Sequence, residues 1–204
     1  MNTNTMIEKQ QQEMIAQKYE NTIAWIDIET TGTNPQTDKI LQIALIITDS
    51  KFNTIVEHEW IVRYCFSDAV NMFVNADETV QEMHTKTGLW EMLISEESQS
   101  LEDVDQQLSQ ILTKIYNSNN GYQINIGGNS VHFDNSFIQQ QMPLSAKHIS
   151  HRVLDISAVL QYFRVVGNKV PLPKHTVSHD ALDDIQWTIT QAKAIQEHIK
   201  ELKQ

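Results

Sequence analysis

Two acidic side chains lie two residues apart at the end of a strongly apolar segment. Asp27 and Glu29 follow Trp25-Ile26 and directly precede a Thr-Thr-Gly turn. Residues two apart on a β-strand point to the same face, so both carboxylates would share one side of a sheet. Burying two acids is costly unless a positive group compensates, and Mg²⁺ accepts carboxylate ligands. The pair alone does not require a metal, since acids at a solvated strand end could simply cap the turn.

Further acids occur at comparable junctions later in the chain. Asp134 follows the turn sequence Gly127-Gly128-Asn129-Ser130, and Asp184 stands near the start of the last helix, after a proline-containing loop. Sites on α/β sheets are built where an apolar element gives way to a turn. These positions therefore indicate one site assembled from several elements.

The start of the last helix contains more acids than a metal site needs. At about 100° per residue, Asp183 falls nearly opposite the apolar stripe, whereas Asp184 falls on its flank. This geometry favours Asp184 as the ligand. We interpret Asp180 and Asp183 as acids that compensate the helix dipole. His179 precedes them and could bond to the preceding loop or act as a base.

The elements that would position these residues form one α/β domain. Apolar runs predict strands at 23–28, 40–47, 54–62 and 123–126, the first of them in an antiparallel meander. Helical spacing predicts helices at 77–86, 101–116, 133–141, 154–163 and 182–202, with a surface loop at 166–177. Leading strands followed by mixed helices indicate a mixed sheet flanked by helices. We assign 21–204 to this domain and 1–20 to an N-terminal extension, helical or frayed.

Composition narrows the class of protein. The 15 Lys and Arg against 26 Asp and Glu give a net charge of −11, which argues against gripping long nucleic acids through basic surface. Bound divalent metal would partly offset that charge. A single cysteine, Cys65, excludes an internal disulfide and a zinc cluster and suits a reducing compartment. With no apolar stretch of about 20 residues and no signal-peptide pattern, we expect a cytoplasmic protein without membrane contact.

Three segments together resemble the DEDDh branch of the 3′-to-5′ exonucleases, which has a ribonuclease H-like fold. They are Trp25–Gly32, the stretch from Gly128-Asn129-Ser130 to Asp134, and His179–Ile185. Within that branch, the chain from about Thr22 onward is similar to the oligoribonuclease family, which cleaves very short oligoribonucleotides. Further matches include His84–Leu89, Met142-Pro143 and His151–Ser157.

The resemblance implies a site and a mechanism. Two Mg²⁺ or Mn²⁺ ions would be held by four acids: Asp27, Glu29, Asp134 and Asp184. Glu29 and His179 would be the catalytic residues, with His179 as general base, because histidine titrates near neutral pH. The substrate would be short single-stranded RNA, or DNA, and the protein a homodimer. Substrate-binding residues implied by the family are His84, Ser130, His151, Arg152 and Ser157.

In the family, a small cap grips the 5′-phosphate of a dinucleotide, partly with residues of the neighbouring subunit. Arg152 retains the chemistry for bidentate phosphate binding, while His84 and Ser157 retain hydrogen-bond donors. Two simpler roles remain open, because Arg152 could pair with Asp155 and Ser157 could cap the following helix.

Three positions depart from the family pattern. Thr33 stands at the family's leucine wedge, Thr79 at its base-stacking tryptophan and His151 at its partner-subunit tyrosine. Stacking is worth about 1–3 kcal/mol per base, so its loss should weaken the grip on dinucleotides or relax the length preference, unless His151 still stacks or Trp90 or Phe73 substitutes.

Three alternative functions compete with the leading one, and the last of them does not explain the match of all three segments. A general single-strand exonuclease is favoured by these departures. An inactive nucleic-acid-binding module would require a lost acid, and none is lost. An unrelated metal phosphatase could also use clustered carboxylates.

Overall fold

The computed structural model describes residues 22–118, 121, 123–176 and 178–203. The extension predicted at 1–20 lies outside these residues. Across this part of the chain, none of the helices is both long and apolar enough to span a bilayer.

The described residues contain a five-stranded mixed sheet, as the sequence predicted. Its strands are β1 (Ile23–Thr30), β2 (Ile40–Thr48), β3 (Thr54–Ile61), β4 (Ile126–Gly128) and β5 (Leu154–Asp155). They lie in the order β3-β2-β1-β4-β5. Strands β1, β2 and β3 pair antiparallel, whereas β4 pairs parallel with both β1 and β5. The ends of β1 and β4 that precede their turns therefore meet at one edge, where the predicted acids stand.

Helices cover both faces of the sheet. In chain order they are α1 (Phe66–Asn75), α2 (Glu78–Thr87), α3 (Leu89–Met92), α4 (Leu101–Ser118), α5 (His132–Gln141), α6 (Pro143–Ala146), α7 (Ile156–Val165) and α8 (Ala181–Glu201).

Alternation along β1 divides its side chains between two cores. Ala24, Ile26 and Ile28 belong to the core that contains residues of α4 and α5. Trp25 belongs to the second core, which it shares with residues of α8. Because Asp27 and Glu29 have the same parity as Trp25, they point to the face that α8 covers.

Several predicted boundaries were wrong. The strand predicted at 123–126 begins at Ile126, and Ile124 makes only an isolated bridge to Ile149. The helix predicted from 154 begins two residues later, since Leu154 and Asp155 pair with β4. Pro143 ends one helix and starts α6, because proline fits the first turn of a helix. Helix α1 was not predicted from the sequence, and its side chains Phe66, Val70 and Val74 remain exposed.

Candidate active site

The centre of the site is the end of β1. Asp27 and Glu29 share a face there with Asp184 of α8, and one carboxylate oxygen from each of the three lies within 4.8 Å of the other two. Asp183, by contrast, is exposed, and its backbone N–H donates to Asp180. The choice of Asp184 over Asp183 from helical geometry thus agrees with their placement.

Asp134 reaches the same strand from the other layer. It lies in the first turn of α5, is 3% exposed, and accepts a hydrogen bond from the Ile28 backbone N–H at 3.0 Å. Ile28 lies between Asp27 and Glu29 in the chain, so this bond fixes Asp134 against the acidic pair. Close packing of the turn before α5 makes the approach possible. A Cβ on Gly128 would lie 2.9 Å from Val131 Cβ and 3.0 Å from the Ile26 carbonyl oxygen.

Burial raises the proton affinity of these acids, and neighbouring carboxylates add to the effect. Burial raises the pKa of Glu29 to about 8, and the charges of Asp184 and Asp134 add to the effect. Burial likewise raises the pKa of Asp27 well above its ordinary value, with further contributions from Asp134 and the other neighbouring carboxylates. The pKa of Asp134 is raised mainly by burial, although backbone hydrogen bonds oppose the shift.

This donor set fits divalent metal. Several carboxylates crowded into a poorly solvated site repel one another, and a hard cation with oxygen ligands relieves that repulsion. The geometry supports Asp27, Glu29 and Asp184 most directly, while Asp134 joins them through the backbone of β1.

His179 occupies a strained backbone position beside this cluster. Its φ is +56°, in the left-handed region that few residues with a side chain adopt. Burial raises the pKa of Asp184, and the His179 and His175 imidazoles partly oppose that rise, so His179 lies near the carboxylate. His175 in turn stacks on Trp187 of α8, with ring centroids 4.2 Å apart. Strain of this kind persists where the surroundings hold it, often at functional sites.

His84 is placed differently from what the sequence reading predicted. It is fully buried in α2, and its Nε2 lies 3.0 Å from the Thr30 carbonyl oxygen, to which it can donate. Burial lowers its pKa, with a smaller contribution from His179. The His84 side chain is therefore not exposed for the direct phosphate contact that was predicted for it. Its bond instead supports the end of β1 next to Glu29, whose Oε2 is 3.9 Å away.

The remaining substrate-binding candidates lie where β4 and β5 end. The Ser157 hydroxyl donates to Asp155 Oδ1 at 2.6 Å, and the Ser130 backbone N–H donates to both Asp155 Oδ1 and Ser157 Oγ at 3.2 Å. Asp155, not Ser157, caps α7 through the Ala158 N–H. Partial burial opposes it, but these hydrogen bonds hold the pKa of Asp155 below its usual range.

His151 and Arg152 precede this cluster, and both are exposed. The ion pair considered between Arg152 and Asp155 is not formed among the described residues, where Asp155 instead lies 3.8 Å from His132. The guanidinium of Arg152 is therefore available to an anion.

Of the three positions that depart from the family pattern, only His151 carries an aromatic ring, and it is exposed. Thr33 and Thr79 are both exposed. Trp90 is 8% exposed and packs edge-on against His84 and Phe73, so it does not offer a free face to a base. Of the two suggested substitutes, only Phe73 is partly accessible, at 37%.

The mixed sheet, the acidic site at the end of β1 and a family match together indicate the class of protein. Residues 24–192 match the Exonuclease family of the RNase T type, and the chain belongs to that family. A solved structure of exonuclease I superposes with a TM-score of 0.66 at 18% identity, covering 90% of this chain and 42% of that one. This likeness establishes the fold, and the predicted single α/β exonuclease domain is confirmed.

Sequence relatives identify the branch. The oligoribonuclease of Neisseria meningitidis serogroup B is 32% identical over 181 residues, which cover 87% of this chain and 92% of that protein. The probable oligoribonuclease of Dictyostelium discoideum is 30% identical over 172 residues, covering 84% and 87%. The mitochondrial oligoribonuclease of Bos taurus is 28% identical over 179 residues, covering 87% and 73%. The chain belongs to the oligoribonuclease family, and the resemblance drawn from its motifs is confirmed.

Proposed function

We propose that this protein is a 3′-to-5′ exoribonuclease that hydrolyses short oligoribonucleotides to 5′-mononucleotides with two divalent ions, Mg²⁺ or Mn²⁺. The observation that carries the proposal is the meeting of the Asp27, Glu29 and Asp184 carboxylates within 4.8 Å, in a chain of the oligoribonuclease family. The net charge of −11 fits a substrate too short to need a basic surface.

Each residue of the site has a task in this reaction. Asp27, Glu29, Asp134 and Asp184 would hold the ions, which when bound stabilise negative charge on the phosphodiester and on the departing oxygen. His179 would accept a proton from the attacking water. The new bond forms between that water oxygen and the terminal phosphorus, while the bond from phosphorus to the 3′-oxygen breaks, and the 3′-oxygen keeps the electron pair and takes a proton from solvent.

The 5′ end of the substrate would be held by Arg152, Ser130 and Ser157, with His151 stacking on or bonding to it. Arg152 supplies a planar guanidinium for phosphate and the Ser130 hydroxyl supplies a donor, while the Ser157 hydroxyl would have to turn from Asp155 to donate to it. Contributions from a second subunit would make the protein a homodimer. The free, exposed Cys65 suits a reducing, cytoplasmic location.

A relaxed length preference is the second candidate function. The exposed threonines at 33 and 79 and the buried face of Trp90 leave little aromatic surface for a dinucleotide. A general single-strand exonuclease that trims longer RNA or DNA ends would not need that surface.

A time course separates the two. Purified protein with Mn²⁺ is given 5′-labelled RNAs of two, three, five and ten nucleotides, beside DNAs of matched sequence. Faster loss of the two-mer than of the ten-mer supports the oligoribonuclease function, whereas a ladder from the ten-mer at equal or greater rate supports the general exonuclease. If the protein with Mn²⁺ cleaves these RNAs and DNAs no faster than chelator-treated protein does, both proposed functions are refuted.

A further inference from the structure

A glutamine inside the sheet connects it to the start of α8. Gln42 is the third residue of β2, where every residue is buried, and is itself 3% exposed. It pairs directly opposite Glu29 of β1. Residues opposite each other in an antiparallel pair share a face, so the Gln42 side chain lies beside the acidic cluster and under α8.

The Gln42 amide uses both its donor and its acceptor groups. Nε2 donates to Glu59 Oε1 of β3 at 2.6 Å and to Asp180 Oδ2 at 3.1 Å, while Oε1 accepts from the Ala181 backbone N–H at 3.3 Å. A buried side chain that satisfies all these groups at once is held in one orientation.

Two of these bonds act on the end of α8 that carries the reacting groups. Asp180 is the N-cap of α8, where its Oδ1 accepts from the Asp183 N–H and its backbone carbonyl accepts from the Asp184 N–H at 2.9 Å. His179 directly precedes Asp180 in the chain. A shift of the Asp180–Ala181 pair would therefore move both His179 and Asp184 relative to β1.

The amide also separates like charges. Glu59 and Asp180 both carry carboxylates, and Gln42 donates to each of them. A neutral group that donates twice and accepts once suits this place, because an apolar residue would leave the acids facing each other without a donor.

We propose that Gln42 is a positioning residue that sets His179 and Asp184 against the carboxylates of β1. This inference rests on the proposed function, in which Asp184 holds metal and His179 accepts a proton. Groups that orient metal ligands from outside typically change metal affinity or activity by 10–100-fold when they are removed.

The test measures Mn²⁺ binding to the full chain without RNA, by electron paramagnetic resonance, beside steady-state cleavage of a short RNA. For Gln42→Met, which keeps the volume but loses the three bonds, we expect the Mn²⁺ dissociation constant to rise roughly tenfold and kcat to fall by a similar factor. The KM for RNA should stay near the wild-type value, because the substrate cap is not touched.

A matched variant controls for simple destabilisation. Gln107 is a half-buried glutamine with two side-chain bonds, to Trp60 and Gln99, on the opposite side of the sheet. Gln107→Met should lower the free energy of unfolding without changing Mn²⁺ affinity or kcat. If Gln107→Met and Gln42→Met change kcat and Mn²⁺ affinity equally, Gln42 has no special positioning role and the proposal is overturned.

A double variant that exchanges the amide of Gln42 and the carboxylate of Asp180 tests the contact between them. Gln42→Glu alone puts a carboxylate beside Asp180, and we expect a larger loss than for Gln42→Met. Adding Asp180→Asn restores a donor, because the new amide N–H can donate to the carboxylate at position 42. The amide oxygen can still accept from the Asp183 N–H and cap α8. The exposed Glu59 can turn into solvent. Recovery of Mn²⁺ affinity and kcat in the double variant supports the proposal, and a double variant no better than Gln42→Glu overturns it.

A reference variant separates this inference from the proposed function. Asp184→Asn should weaken Mn²⁺ binding strongly. If it does and Gln42→Met does not, the positioning role is wrong and the metal site stands. If Asp184→Asn leaves Mn²⁺ binding unchanged, the proposed metal site is itself wrong, and the inference falls with it.

Discussion

The acidic cluster should give the metal-free protein an unusual dependence of stability on pH. The pKa of Glu29 rises from an ordinary 4.5 to about 8 on folding. Between these values the folded chain holds a proton that the unfolded chain has released, so the free energy of unfolding falls as pH rises. From pH 7 to pH 8 this single group should lower it by about 1 kcal/mol. Asp27 and Asp134, whose pKa values are also raised, act in the same direction.

The pH window avoids an opposing contribution. Burial lowers the pKa of His84, so the fold loses stability through this residue as pH falls below the ordinary histidine value of about 6.5. Above pH 7 the imidazole is mostly neutral in both the folded and the unfolded chain, and its effect on stability hardly changes with pH. Urea unfolding at pH 7.0, 7.5 and 8.0 with chelator present therefore reports mainly on the acids.

Metal and an isosteric variant give the controls. With Mg²⁺ in excess, the deprotonated acids bind the ion, and stability should rise instead of falling across the same window. Glu29→Gln should flatten the slope in chelator, because the titrating group is gone. A wild-type stability that is constant or increases from pH 7 to 8 in chelator would refute the reasoning, as would an unchanged slope in Glu29→Gln.

Three further predictions concern single residues. Asp184→Asn should reduce kcat by roughly 100-fold or more, whereas Asp183→Asn should retain most activity, and equal losses in a steady-state assay would refute the ligand assignment. Arg152→Ala should raise the KM for 5′-phosphorylated dinucleotides much more than for ten-mers, and parallel increases would contradict the phosphate cap. Gly128→Ala should lower the free energy of unfolding by about 1–3 kcal/mol, because its Cβ would crowd Val131 and the β1 backbone. Thermal unfolding of the Gly128 variant with no loss of stability would show that the turn can adjust.

Three acids of the site could be placed from sequence because their positions depended on local geometry, whereas the role of Asp134 followed from the family resemblance. Strand alternation put Asp27 and Glu29 on one face, and helical angles separated Asp184 from Asp183. Both inferences need only the regular repeat of one element. The mixed sheet followed from the same kind of local pattern, with short turns joining the first strands and a long terminal helix.

Burial of polar side chains was harder to predict, since it depends on how elements dock. Nothing in the sequence of α2 shows that His84 points inward to Thr30, because its helix has few apolar residues to mark a buried face. Helix α1 was missed for a related reason, since its valines and phenylalanines favour strands as much as helices and stay exposed. The signal that could have found Gln42 was present, namely the one amide in a strand whose other residues up to Ile47 are apolar. Its partners Asp180 and Ala181 are over 130 residues away, and only the fold brings them together.

The same physical conflict explains both the chemistry and the predicted instability of this site. Carboxylates gathered at the end of β1 are desolvated and repel one another, which raises their pKa values and weakens the metal-free fold above neutral pH. Two hydrogen bonds oppose that repulsion, because the Ile28 N–H donates to Asp134 and the Gln42 amide donates to Asp180. If the repulsion stores the free energy that divalent ions release on binding, then a variant that relieves it without metal should be more stable and less active. Asp27→Asn is that variant, and in chelator at pH 8 it should unfold at higher urea than the wild type while losing cleavage. If the wild type is as stable as Asp27→Asn under those conditions, repulsion between the acids does not destabilise the metal-free fold.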